Sequence, residues 1–141
     1  MPEIIIVKNE AEAGEIYGRC VADLIKAKPD AVLGLATGSS PLAAYQALAK
    51  IVKDEAIDVS GVRGFALDEY IGLPPEDPNS YRYYMNKHLF SKINIDMRNT
   101  NLPDGLAGDE IAEGLRYEEA IEDAGGIDLQ LLGIGNDGHI G

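Results

Sequence analysis

A single cysteine, Cys20, in 141 residues excludes an internal disulfide, and two histidines without a Cys/His cluster argue against a structural zinc site. Basic residues are outnumbered. Twelve Lys and Arg stand against twenty-four Asp and Glu, a formal net charge of -12. That balance excludes a surface built to track nucleic-acid phosphates or anionic lipid, so an anionic ligand must be held by local donors. Long apolar runs are missing as well. Met1-Pro2-Glu3 leads into only four clearly apolar residues, Ile4 to Val7, too few for a signal-peptide core or a membrane span. These absences fit a soluble protein of the reducing cytoplasm. What remains is ordinary globular composition, 45% apolar with few aromatics and no repeat or low-complexity tract, in a length that suits one domain.

Apolar runs and helical periodicities alternate along the chain. Ile4 to Val7 is β-branched and predicts a first strand, and Asn9 with Glu12 three residues later predicts a capped helix start. Ile16, Cys20, Val21, Leu24 and Ile25 then recur on one helical face, which reads Cys20 as a buried structural thiol. Ala31 to Ala36 predicts a buried strand, followed by a helix from Pro41 to about Lys53 with Ser40 as its N-cap. Val62 to Leu67 predicts the next strand and Ser80 to Phe90 a helix packed through Tyr81, Tyr84, Met85, Leu89 and Phe90. His88, in that helix, reads as a surface or packing residue. The segment Asn94 to Gly108 reads as loop. Asp109 starts a helix carrying Ile111, Ala112, Leu115 and Ile121, ended by Gly125-Gly126, and Ile127 to Ile134 predicts a fourth strand. The order β-α-β-α-β-α-loop-α-β predicts an α/β fold, a Rossmann-like parallel sheet with helices on both faces, cut short after the fourth predicted strand. With functional groups crowding toward Gly141, the chain reads as a fragment of a longer domain.

Three polar stations directly follow apolar runs: Thr37-Gly38-Ser39-Ser40-Pro41, Asp68-Glu69-Tyr70 and Asn136-Asp137-Gly138-His139. In a parallel sheet such positions converge, because ligands bind in the crevice beyond the carboxyl ends of the strands. The first station couples a strand end to a helix N-terminus, where free N–H groups and the helix dipole favour a phosphate, Gly38 allows close approach, and Thr37, Ser39 and Ser40 add hydroxyls. An ordinary helix cap would look the same in isolation. Asp68 sits where partial desolvation raises a carboxyl pKa and makes a proton acceptor, although an Asp-Glu pair also serves as a cap. In the third station Asp137 can orient His139, whose imidazole moves protons near neutral pH. Gly133, Gly135 and Gly138 also match the dinucleotide pattern Gly-x-Gly-x-x-Gly, a weak signal here because the helix and acidic residue that pattern requires would lie beyond Gly141.

Taken in order, Leu35-Ala36-Thr37-Gly38-Ser39-Ser40-Pro41, Leu67-Asp68-Glu69-Tyr70-Ile71-Gly72-Leu73-Pro74, Asn79-Ser80-Tyr81 and Gly133-Ile134-Gly135-Asn136-Asp137-Gly138-His139-Ile140-Gly141 resemble the glucosamine-6-phosphate deaminase family. The resemblance covers the amino-terminal part of that family's single domain. It implies an enzyme that converts glucosamine 6-phosphate and water into fructose 6-phosphate and ammonium, with no cofactor and no metal. By the same resemblance Asp68 is the base that moves a proton between C2 and C1, Asp137 and His139 assist ring opening, and Thr37 to Ser40 form part of the phosphate cradle. The implied partner is a small sugar phosphate, with no nucleic acid or membrane; a homo-oligomer is left open. In the family the His-Ile-Gly stretch continues into Phe-Asn-Glu-Pro, whose glutamate shares the ring-opening work, and later basic residues grip the phosphate. Without those positions the 141 residues alone are expected to be inactive. The alternatives are a 6-phosphogluconolactonase-like hydrolase, against which Tyr70 and Ile140 argue, and a sugar-phosphate-binding protein without turnover.

Overall fold

The computed structural model describes residues 1–141. Four parallel strands form one sheet: β1 (Val32–Leu35), β2 (Arg63–Ala66), β3 (Thr100–Asn101) and β4 (Leu129–Gln130), in the spatial order β3-β2-β1-β4. Four α-helices accompany them, α1 (Glu10–Ala27) before β1 and α2 (Leu42–Asp54), α3 (Tyr81–His88) and α4 (Glu110–Asp123) between successive strands. The helix starts follow the expected chemistry. The side chains of Asn9, Ser80 and Asp109 accept from the backbone N–H of Glu12, Tyr83 and Ala112, satisfying donors that a helix start leaves free. Gly125 and Gly126 end α4 with φ of 93° and 85°, a conformation side chains other than glycine disfavour.

Side chains on the two faces of the sheet form separate cores, because successive strand residues point to opposite sides. Leu33, Leu35, Val62 and Ala66 join Val21, Ile25, Tyr45, Leu48 and Met85 in the larger core beneath α1 and α2. Val32 and Phe65 face the other way and meet Tyr117 of α4, whose ring lies edge-on to Phe65. Helices thus cover both faces, as expected. Near its crossing with α2, α1 carries Gly14 and Gly18; a Cβ at Gly14 would overlap the Ala43 carbonyl, and one at Gly18 would lie 3.0 Å from the Leu48 nitrogen. These glycines let the two backbones approach closely.

β4 is only two residues long and borrows a side chain to hold its register. The Asp128 N–H donates to the Val32 carbonyl (2.8 Å), and the Asp128 carboxylate accepts from the Val32 N–H (2.8 Å) and from Lys28. The Lys28 ammonium first, and then the Val32 N–H, hold that carboxyl below its usual range.

Several expectations are corrected. Ile4 to Val7 forms no strand: Ile4 and Ile6 are 88% and 93% exposed, and none of the four strands lies alongside them. β-branching gives a segment strand propensity, but a ladder needs a partner. Cys20 is exposed rather than buried, because Gly14, Gly18, Val21 and Ile25 turn another face of α1 toward α2. Pro41, not Ser40, is the N-cap of α2, and no side chain caps that helix. Tyr117, Ala120 and Ile121 form the packed side of α4, whereas Ile111 and Leu115 are exposed. The predicted fourth strand shrinks to Leu129–Gln130, and a strand at Thr100–Asn101 appears within the expected loop.

Substituting Gly14 by Ala adds a methyl group against immovable backbone, an overpacking cost of about 1–3 kcal/mol that exceeds the helix-propensity gain of about 1 kcal/mol. Denaturant unfolding of the intact protein is therefore expected to show a net loss of stability for Gly14→Ala. An equal or greater stability would mean that α1 and α2 do not meet at this glycine.

Candidate functional site at the carboxyl edge of the sheet

The chain runs β1, β2, β3 in one direction across the sheet and then returns to place β4 on the other side of β1. The order therefore reverses beside β1, and in parallel sheets the crevice at such a reversal, beyond the strand carboxyl ends, is where ligands bind. The three predicted stations follow β1, β2 and β4, which are consecutive neighbours in the sheet.

At the end of β1 the buried Tyr45 hydroxyl donates to the Ala36 carbonyl (2.5 Å) and accepts from the Ala36 N–H (3.0 Å). Both backbone groups of Ala36 are thereby satisfied without a neighbouring strand, and the chain can leave the sheet. The next four N–H groups, of Thr37, Gly38, Ser39 and Ser40, donate to no acceptor in the protein. Thr37 is half-buried, while Gly38, Ser39 and Ser40 are exposed, and Gly38 has φ of 108°. Free amide donors in a glycine turn ahead of an uncapped helix suit an anion, which offsets the repulsion expected from a net charge of -12.

Beyond β2, the Leu67 N–H still donates to the Leu35 carbonyl (3.0 Å), and Asp68 follows at the surface. Protein atoms around its carboxyl strip away part of its hydration, and this, with the neighbouring Glu69 charge second, raises its pKa above the ordinary carboxylate value. Glu69 has a different task. Its carboxylate accepts from the N–H groups of Tyr81 and Arg82, both at 2.9 Å, and so holds the start of α3. The capping role weighed for the Asp-Glu pair thus falls to Glu69, on a helix twelve residues away. Tyr81 stacks on Tyr70 with ring centroids 4.7 Å apart, and their hydroxyls lie 3.2 Å apart. That hydroxyl contact and burial push the Tyr81 pKa up to about 12, while the nearby Thr37 hydroxyl opposes the rise.

Beyond β4 the chain folds back on itself: Ile134 pairs antiparallel with Ile140, Gly135 N–H donates to the His139 carbonyl (2.9 Å), and Gly141 N–H donates to the Gly133 carbonyl (3.1 Å). The fold-back brings the Asp137 carboxylate onto the His139 Nδ1, and that contact holds the Asp137 carboxyl below its usual range. Gly135 makes room for it, since a Cβ there would overlap the imidazole. The same segment abuts the other two stations. A Cβ at Gly133 would lie 3.6 Å from Ser40 Cβ, and one at Gly141 would lie 3.8 Å from Leu67 Cδ1.

The turn of Thr37 to Ser40 and the segment after β4 that carries Asp137 and His139 therefore touch at Ser40 and Gly133, and Tyr81 lies near enough to Thr37 and Asp68 for both to bear on its hydroxyl. The crevice is open. Cavities of about 610 Å³ between α1 and α2 and about 500 Å³ at the amino ends of β1 and β2 lie elsewhere. No group of three or more His, Cys, Asp or Glu side chains is gathered closely enough to hold a metal ion. Residue patterning did not reveal Tyr45, Tyr81 or Tyr84 as site residues. Their helical spacing reads as packing, and only the hydroxyl positions distinguish them. His88 keeps its packing role, stacked at 4.6 Å on Tyr84.

The raised Asp68 pKa gives a direct titration test. Its carboxyl carbon, followed by NMR, is expected to titrate above about 3.9, the unperturbed value for Asp, and Glu69→Gln should move that midpoint down by removing a repelling charge. An Asp68 midpoint at or below the unperturbed value would contradict the desolvated environment.

Comparison with known proteins places the chain in a family. The model of the family "Glucosamine-6-phosphate isomerases/6-phosphogluconolactonase" matches residues 9–141. The glucosamine-6-phosphate deaminase of Bifidobacterium longum (strain DJO10A) is 68% identical over 149 aligned residues, covering 100% of this chain and 55% of that protein. The glucosamine-6-phosphate deaminase of Halothermothrix orenii (strain H 168) is 51% identical, covering 98% of this chain and 57% of that one. The chain thus spans about half the length of the curated relatives it matches. Among solved structures, a monomeric glucosamine-6-phosphate deaminase superposes with a TM-score of 0.94 at 42% identity, over 99% of this chain and 58% of that one. The 6-phosphogluconolactonase of Thermotoga maritima superposes with a TM-score of 0.78 at 24% identity, over 97% of this chain and 61% of that one, a likeness of fold alone. With the family match running from α1 to the last residue, this chain belongs to the glucosamine-6-phosphate isomerase/6-phosphogluconolactonase family.

Proposed function

We propose that these residues are the amino-terminal part of a single α/β domain that converts glucosamine 6-phosphate and water into fructose 6-phosphate and ammonium. The observation that carries this reading is the placement of the three stations beyond adjacent strands, in a chain 68% identical to a protein named for that activity. In the proposed mechanism the free amides and hydroxyls of Thr37, Gly38, Ser39 and Ser40 receive the phosphate. His139, oriented by Asp137, takes the proton of the anomeric hydroxyl and returns one to the ring oxygen, which opens the ring. Asp68 then removes the C2 proton and delivers it to C1, passing through an enolamine. The resulting C2 imine is hydrolysed: water adds to the carbon, the nitrogen leaves as ammonium, and the ketone of fructose 6-phosphate remains. A carboxyl with a raised pKa is suited to accepting and then releasing that proton. The protein would act in amino-sugar catabolism in the cytoplasm, and no helix here is long and apolar enough to cross a membrane.

The lactonase reading is weaker. The lactonase structure compared above is 24% identical against 42% for the deaminase structure, and Tyr70 and Ile140 depart from the pattern expected of lactonases. Ammonium release from glucosamine 6-phosphate by the intact gene product tests the proposal, and no release would refute it. Asp68→Asn removes the base with little change of shape, so turnover should fall by about 10²–10⁴-fold while calorimetric binding of the sugar phosphate persists. Loss of binding with unchanged turnover of the bound fraction would contradict a role as base.

A further inference from the structure

The Gly38 carbonyl accepts a hydrogen bond from the Tyr84 hydroxyl at 2.6 Å and from no other group. Gly38 itself, at φ of 108° and with nothing within 4 Å of where a Cβ would sit, is otherwise free to turn its peptide plane. The peptide bond is trans, so a carbonyl held toward Tyr84 fixes the Ser39 N–H in the opposite direction. That N–H is one of the four unpaired donors of the anion turn. Tyr84 is in turn held on α3, which Glu69 anchors to the loop of Asp68.

We propose that Tyr84 is a positioning residue for binding the phosphorylated end of the substrate: its hydroxyl locks the Gly38–Ser39 peptide in the orientation that presents the Ser39 N–H to an anion. This deepens the sugar-phosphate reading above and rests on it. α3 then acts as a strut, bound at its first residues to the Asp68 loop and one turn later to the phosphate turn, which sets the span between base and phosphate. Burial raises the Tyr84 pKa to about 12, so the hydroxyl remains a donor at neutral pH.

Tyr84→Phe in the intact protein keeps the ring and its stack on His88 and deletes only the hydroxyl. KM for glucosamine 6-phosphate is expected to rise about 2- to 13-fold, the loss of one ordinary hydrogen bond, with kcat within about twofold. Inorganic phosphate, titrated by calorimetry, should bind the variant more weakly by a similar factor, and the melting temperature should stay within about 2 °C. An unchanged KM together with unchanged phosphate affinity would overturn the proposal, as would a fall in kcat at constant KM. The phosphate titration separates the two readings. A wild-type protein that binds phosphate but releases no ammonium refutes the deaminase reading, while the difference between wild type and Tyr84→Phe still decides the role of Tyr84.

Discussion

The site depends on how β1 ends. β1 lies between β2 and β4 and is wholly buried, and a turn that leaves the sheet abruptly would strand the last pair of its backbone groups in the core. The Tyr45 hydroxyl takes both groups of Ala36, so the sheet stops there at no cost in unpaired polar atoms. Everything after Ala36 is then free of ladder constraints. The four unpaired amides of residues 37–40 follow directly from that termination. Tyr117 plays the matching part on the opposite face, its hydroxyl 2.6 Å from the Ala66 carbonyl and 3.1 Å from that of Asn101, at the ends of β2 and β3.

Two acidic neighbours illustrate how one local sequence supplies different functions. Glu69 turns its carboxylate onto the first N–H groups of α3, whereas Asp68, one residue earlier, has no such donors and is left partly desolvated. One acid therefore holds structure and the other is kept at a raised pKa, available for proton transfer. Arg82 adds to the hold by donating to the Thr100 hydroxyl at 2.7 Å, which ties α3 to the β3 edge. In an acidic protein this economy matters. Arg82 is thereby engaged in structure, and the unpaired backbone amides of residues 37–40 are the donors the turn after β1 offers an anion.

Features with a local cause were legible in the sequence. Asn9, Ser80 and Asp109 cap helices because their side chains meet N–H groups three residues on, and buried strands such as Val32–Leu35 carry continuous apolar runs. The residues of the three stations were equally legible, since strand ends in a parallel sheet share one edge. Features set by distant partners were not. Thr100–Asn101 is too short and polar to show a period, and it pairs because Gly64 and Phe65 lie alongside. Cys20 lies on a face that apolar spacing alone makes look buried, but glycines decide which side of α1 meets α2. Ile111 and Leu115 satisfy helical spacing too, yet Tyr117 is the residue that reaches Phe65. Hydroxyl contacts such as that of Tyr84 with Gly38 leave no trace in periodicity.

The account stands on one phosphorylated hexose spanning the turns after β1, β2 and β4, where β2 and β4 are two strand spacings apart, roughly 10 Å. A crystal structure of the intact protein with the reduced, open-chain amino-hexitol 6-phosphate tests this most directly. The phosphate is expected against the amides of residues 37–40, with C1 and C2 beside Asp68 and the O5 end of the chain facing His139. A phosphate bound away from that turn, or a carbon chain out of reach of Asp68, would contradict it.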